Sequence, residues 1–178
     1  QQDPALRDTP IVVFTGRDAV HKYLHDGGEL DVIRNGVIYH CGPVVLRDDK
    51  GYRVVAAGPT TSIREEPYQA EIIERFGVKA VIGKGGMGQA TLDAFRDIGG
   101  AYLAVVGGAA ALQTTWIESI EEVDMDDLNP ESIWRFRIKG FGPLLVTMDS
   151  HGSSTYEKIQ GDAKSKRDAI LASIGASE

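Results

Sequence analysis

Cysteine occurs once in the 178 residues, at Cys41, so an intrachain disulfide is excluded and a reducing compartment is the natural setting. One thiol also falls short of metal chemistry. An iron–sulfur cluster takes several cysteine ligands, and a structural zinc usually takes four Cys or His together. Cys41 is therefore expected to be a small buried hydrophobe. Positive charge is in deficit too: 19 Lys and Arg against 26 Asp and Glu leave a formal charge of −7. No Lys/Arg-rich run offsets this, which argues against a nucleic-acid binder, since that role needs a basic stripe to displace counterions from phosphates. No apolar run approaches the roughly 20 residues of a membrane span, and the polar opening at residues 1–10 lacks the apolar core of a signal peptide. A soluble, cytoplasmic protein is expected. The chain starts without an initiator Met, as expected of a trimmed or partial chain.

What is present, 42% hydrophobic and 25% charged residues, suffices for one sizeable core. The expected organisation is an N-terminal tail at 1–9, one domain at 10–160 and a helical tail at 161–178, where Ala169, Ile170 and Ile174 recur at helical spacing. Short β-rich runs end at glycine and open into helical stretches, the pattern of βα units with a largely parallel sheet. Strands are expected near 11–14, 37–39, 44–46, 52–57, 78–82 and 101–106, with helices near 19–25, 68–76, 89–98 and 109–112. Asp48-Asp49-Lys50-Gly51 has hairpin composition. Ser62 with Glu65 has capping-box spacing, Pro67 suits a first helical position, and Gly77 falls just past the helix end. The acidic stretch 118–131 reads as a surface connection, and residues 134–139 and 144–148 as a second hairpin around Gly140-Phe141-Gly142-Pro143. The fold class is α/β, a largely parallel central sheet with antiparallel hairpins.

In open α/β sheets ligands bind beyond the C-terminal strand ends, where helix N-termini favour anions. There the sequence concentrates cations and hydroxyls: Arg17 after the first strand, Thr60, Thr61, Ser62 and Arg64 after another, and Lys84 after a third. If those ends are neighbours, a basic pocket in an acidic protein would draw in a small di-anion. Taken singly, each has a plainer explanation: Arg17 beside Asp18 or Asp31, Arg64 beside Glu66, Lys84 solvated. His21 and His25 are one turn apart but lack a third ligand, so packing or surface roles are expected. Gly83-Lys84-Gly85-Gly86-Met87-Gly88 matches the dinucleotide fingerprint G-x-G-x-x-G. However, the next strand ends in Gly107-Gly108 without the acidic residue that would bind a ribose. A nucleotide- or anion-binding module on that loop is one alternative, and a non-catalytic scaffold is another.

Five ordered motifs are collectively specific: Thr15-Gly16-Arg17-Asp18-Ala19-Val20-His21-Lys22, Tyr39-His40-Cys41-Gly42-Pro43, Ala57-Gly58-Pro59-Thr60-Thr61-Ser62-Ile63-Arg64, Val81-Ile82-Gly83-Lys84-Gly85-Gly86-Met87-Gly88 and Met148-Asp149-Ser150-His151-Gly152. Over residues 10–153 the chain resembles the β subunit, or C-terminal domain, of class I fumarate hydratases and L(+)-tartrate dehydratases. The resemblance implies a swivelling β/β/α domain that closes over a [4Fe–4S] cluster held by three cysteines of a partner α subunit or domain, with no metal ligand in this chain. It implies a hydro-lyase active only as a hetero-oligomer, with fumarate and malate as substrates first and tartrate as the alternative. It further implies that Arg17, Arg64 and Lys84 bind substrate carboxylates and that Thr60 lies near the reacting carbon. A threonine hydroxyl is a poor base, so proton transfer or positioning is the role expected of Thr60. His21, His40, Asp149 and His151 stay unassigned, with structural or supporting roles expected.

Overall fold

Four short runs, Ile-Val-Val-Phe, Val-Ile-Tyr-His, Ala-Val-Ile-Gly and Ala-Tyr-Leu-Ala, are apolar at successive positions, as strands covered on both faces must be. They form the parallel centre of a seven-stranded sheet: β1 (Ile11–Phe14), β2 (Val37–His40), β5 (Ala80–Gly83) and β6 (Ala101–Ala104). The register aligns Val12, Ile38, Val81 and Tyr102 across the four strands. Three antiparallel strands flank this centre: β8 (Ile133–Ile138) beside β1, β7 (Ile117–Asp124) outside β8, and β9 (Leu145–Met148) beside β6. A separate hairpin pairs β3 (Val44–Asp48) with β4 (Gly51–Ala56). This architecture comes from a computed structural model, which describes residues 10–14, 20, 23–24, 26–49 and 51–175.

Because successive strand residues point to opposite faces, the sheet divides the core in two. Val12, Ile38, Val81 and Tyr102 face the helices α1 (Glu66–Phe76) and α2 (Gln89–Ile98), packing with Ile72, Ile73, Phe76, Leu92 and Phe95. Ile11, Val13, Tyr39, Ile82 and Phe136 face the other way, against Val45, Tyr52 and Val54 of the hairpin and Phe141. The result is three layers, hairpin, sheet and helices, in agreement with the expected β/β/α arrangement. A short helix α3 (Ala110–Gln113) follows β6, and the 19-residue α4 (Thr155–Ser173) closes the described chain with no buried residue.

Helix ends fall where glycine permits. Gly77 and Gly99 take left-handed φ of 65° and 76° past α1 and α2, a conformation that disfavours a side chain. Of the helix expected at 19–25, Val20, Tyr23 and Leu24 are described and helical; His21 and His25 lie outside the described residues.

Two expectations are corrected. The acidic stretch at 118–131 is not a connection: its first part is the edge strand β7 and the rest a 3-10 segment, Asp126–Glu131. Its apolar residues Ile117, Ile120 and Val123 recur every third position because two irregularities in the pairing with β8 each absorb an extra residue. That spacing hides the two-residue period by which strands are recognised. Likewise, residues 133–138 and 145–148 are not a hairpin. They are β8 and β9, which lie on opposite sides of the parallel centre, so the Gly- and Pro-rich link between them spans the sheet.

Candidate active site

Strands β2 and β5 pair side by side as far as Tyr39 and Ile82. Beyond that point the chain returning from β4 enters between their extensions. Cys41 pairs antiparallel with Pro59, and Thr61 pairs parallel with Lys84. The Thr60 N–H donates to the His40 carbonyl at 2.7 Å, and the Ser62 N–H donates to the Lys84 carbonyl at 3.1 Å. Thr60 thereby sits at the junction of two strand ends, with Lys84 opposite its neighbour. A short 3-10 turn, Ser62–Glu65, then carries Arg64 before α1 begins.

Lys84 is half-buried: a methyl group on Gly107, just past β6, would lie 3.2 Å from its Cδ. Arg64 is exposed. Among the described residues neither cation has a hydrogen-bond or ion-pair partner. Such charges at strand ends are available to an anionic ligand rather than consumed by the fold. Arg17 lies outside the described residues. The strand preceding it ends at Phe14, whose register partner is His40. The structure therefore brings Thr60 and Lys84 to one junction and puts Arg64 one turn further along.

The turn at 57–62 is held from beneath by polar contacts. The Tyr39 hydroxyl donates to the Ala57 carbonyl at 2.6 Å, and the Ala57 N–H donates to Ala110 of α3 at 3.1 Å. The Gln113 amide donates to the Val106 carbonyl at 3.0 Å, tying α3 to the loop after β6. Burial pushes the Tyr39 hydroxyl well above its ordinary pKa, with the nearby Cys41 thiol adding to the shift, so it remains a donor.

Ser62 corrects a third expectation. It does not cap α1: the residue before the 3-10 turn is Thr61, and no side chain caps either turn or helix. The Ser62 hydroxyl is instead fully buried, 2.8 Å from Tyr102 and 3.0 Å from His40. Pro67 occupies the second helical position, after Glu66.

The glycine loop also differs from a phosphate cradle. Glu66 accepts from the Gly88 N–H at 2.6 Å, the Thr91 N–H at 3.2 Å and the Thr91 hydroxyl at 2.7 Å. A carboxylate thus occupies the N-terminus of α2, where a dinucleotide's pyrophosphate would bind. Gly88 is explained by the same contact, since a Cβ there would come within 2.6 Å of Glu66. Glu66 carries no sequence signal for this role, because its partners lie 22 and 25 positions away.

Cys41 is fully buried, and burial pushes its thiol pKa up to about 12. Among the described residues no group of three or more His, Cys, Asp or Glu could hold a metal ion. Asp149, unassigned from sequence, accepts from the backbone N–H groups of Ser153 and His151, which lower its pKa and fix the turn leading to α4.

Comparison with known proteins shows the family. Residues 11–159 match the family described as Fumarase C-terminus. A Geobacillus stearothermophilus protein provisionally named fumarate hydratase class I is 51% identical over 157 residues, covering 87% of this chain and 30% of that protein. The L(+)-tartrate dehydratase subunit beta of Escherichia coli (strain K12) is 38% identical over 177 residues, covering 95% of this chain and 88% of that subunit. A Methanocaldococcus jannaschii protein, provisionally named for the same subunit, is 35% identical over 166 residues, covering 89% and 85%. The chain thus spans about a third of one relative and most of the other two. A match over most of its length, at identities well above a fold-level likeness, makes this chain a member of the Fumarase C-terminus family.

Proposed function

We propose that this chain is the substrate-gripping β component of a hydro-lyase that adds water reversibly to fumarate to give malate. Arg17, Arg64 and Lys84 hold the two carboxylates and Thr60 lies beside the reacting carbon. The observation that supports this most is the junction at Thr60, Thr61 and Lys84, where a cation without a partner among the described residues meets hydroxyl-bearing residues beyond the ends of β2 and β5.

The charges give the physical basis. In the dehydration direction a proton leaves the carbon next to a carboxylate, and the hydroxyl departs from the neighbouring carbon. The first event builds an aci-carboxylate with added negative charge. Fixed cations aimed at that group stabilise the developing charge more than the ground state. Arginine can grip a carboxylate through a two-pronged fork and fix its orientation, while lysine contributes a compact charge. Thr60 is held by its own N–H to the His40 carbonyl, and in this reading its hydroxyl positions or passes a proton.

The [4Fe–4S] cluster implied by the family does not fit this chain's donors, since such a cluster needs several thiolates and the single cysteine is buried and protonated. The cluster belongs in this reading to a partner α subunit or domain. The relative of which this chain covers only 30% leaves room for that partner in one polypeptide, and the beta-subunit names of the others fit two. The second substrate reading is tartrate dehydrated to oxaloacetate, the reaction those names carry.

The test is anaerobic co-expression with the partner component, following fumarate by ultraviolet absorbance and oxaloacetate by coupled reduction. Turnover of fumarate and malate by the assembly, and none by the chain alone, is expected. Oxaloacetate formation from tartrate alone would move the assignment to the second reading. Activity on neither substrate would refute both.

A further inference from the structure

The junction rests on a buried polar chain to which no role has yet been given. Tyr102 donates its hydroxyl proton to Ser62 Oγ at 2.8 Å, Ser62 Oγ lies 3.0 Å from His40 Nδ1, and His40 Nε2 lies 2.8 Å from Gln69 Oε1. All four side chains are completely shielded from solvent. The direction of the chain follows from chemistry. An amide oxygen only accepts, so His40 Nε2 faces Gln69 as the donor, and the tautomer protonated there offers Nδ1 as acceptor for the Ser62 proton. Burial holds Tyr102 well above its ordinary pKa, which keeps its hydroxyl a donor.

These side chains span four elements and lie beneath the turn that carries Thr60. His40 ends β2, and its carbonyl receives the Thr60 N–H; Ser62 gives its own N–H to Lys84 past β5. Tyr102 stands on β6 and Gln69 on α1. Gly83 shows how tightly the chain is packed: a Cβ there would fall 1.9 Å from Ser62 Oγ and 2.9 Å from the Tyr102 hydroxyl.

We infer that His40 is a positioning residue: through Nδ1 it orients Ser62, and through Ser62 it sets the turn that presents Thr60 beside Lys84. Its kinetic consequence rests on the hydro-lyase reading, whereas its structural consequence does not.

The test compares His40→Asn with His40→Gln in the full chain. An Asn amide oxygen can stand where Nδ1 accepts, whereas a Gln amide reaches the place of Nε2 and leaves Ser62 without its acceptor. In the assembled enzyme, His40→Gln should lower kcat for fumarate by about tenfold or more with KM little changed, because displacing a group near the reacting carbon costs transition-state rather than ground-state binding. His40→Asn should keep most of kcat. In the full chain without its partner, hydrogen exchange should show the Thr60 and Ser62 amides losing protection in the Gln variant and keeping it in the Asn variant. Equal effects of the two substitutions would mean that His40 only fills space, and would overturn the inference. If either variant fails to fold, Ser62→Ala, which removes the hydroxyl through which His40 acts, decides: wild-type kcat and wild-type Thr60 protection would overturn it equally. If the wild-type assembly acts on neither fumarate nor tartrate, the hydro-lyase reading fails separately, and the exchange comparison still decides the role of His40.

Discussion

Arg64 and Lys84 carry charge without a partner among the described residues, so replacing them removes little that the fold uses. Arg64→Ala or Lys84→Ala is expected to lower turnover of the assembled enzyme by roughly 10²–10³, the range for a donor aimed at developing negative charge. The melting temperature of the chain should stay near wild type, as for surface substitutions generally. Steady-state kinetics beside a thermal melt checks both halves, and near-normal kinetics would remove the residue from the site. Gly83 behaves in the opposite way. Gly83→Ala drives a methyl into Ser62 Oγ and should destabilise by about 1–3 kcal/mol in urea unfolding, as overpacking does. Adding Ser62→Ala should recover part of that loss, and strictly additive effects would show that the two positions are not coupled.

Cys41 offers a pH test at the same scale. Its thiol pKa is raised by burial from the ordinary 9.0 to about 12 in the folded chain. Below about pH 9 both folded and unfolded thiols are protonated and the stability contribution is complete. As pH climbs towards 12 only the unfolded thiol ionises, so that contribution is lost. Alkylation by iodoacetamide should stay slow in the native chain from about pH 7 to pH 9, where an ordinary thiol accelerates steeply. Rapid native labelling at pH 9 would contradict the burial.

Among the elements, those legible in the sequence were the ones whose cause is local. Gly77 and Gly99 end helices through their own backbone freedom, and the hairpin turn at 48–51 is composition alone. The strand β7 was hidden because its period depends on irregularities set by β8, a partner nine or more positions away. The false hairpin at 133–148 had the right strands and the wrong partners, since composition marks a turn but not the neighbours it connects. Within the site, Thr60, Arg64 and Lys84 could be singled out from their place at strand ends. Ser62 was assigned to a cap because its true partners, His40 and Tyr102, are 22 and 40 positions distant. The helix α4 lies at the other extreme, with no buried residue along Thr155–Ser173. Tyr156 is its anchor, its ring lying against Gly86. Truncation after Gln160 should therefore leave the urea midpoint of the body unchanged while helical circular dichroism falls. A large drop in midpoint would show that the tail belongs to the folding unit.

At the scale of the molecule, one sheet serves both halves of the core: Val12 and Ile38 pack under the helices, while Ile11, Val13 and Tyr39 pack under the hairpin. Neither layer can leave without exposing the other's support, so the chain should unfold in a single transition. Fluorescence of Trp116 and Trp134, both on the hairpin side, should follow the same denaturation curve as circular dichroism dominated by the helices. Two separated midpoints would mean that the layers melt independently.

The segment from Pro59 to Ser62 is stitched on one side to the end of β2 and on the other to Lys84. A residue added or deleted there would unpick both seams at once. Its length is thus a fixed gauge, and on the hydro-lyase reading a preference for one diacid over another lies in side chains that project from the seam.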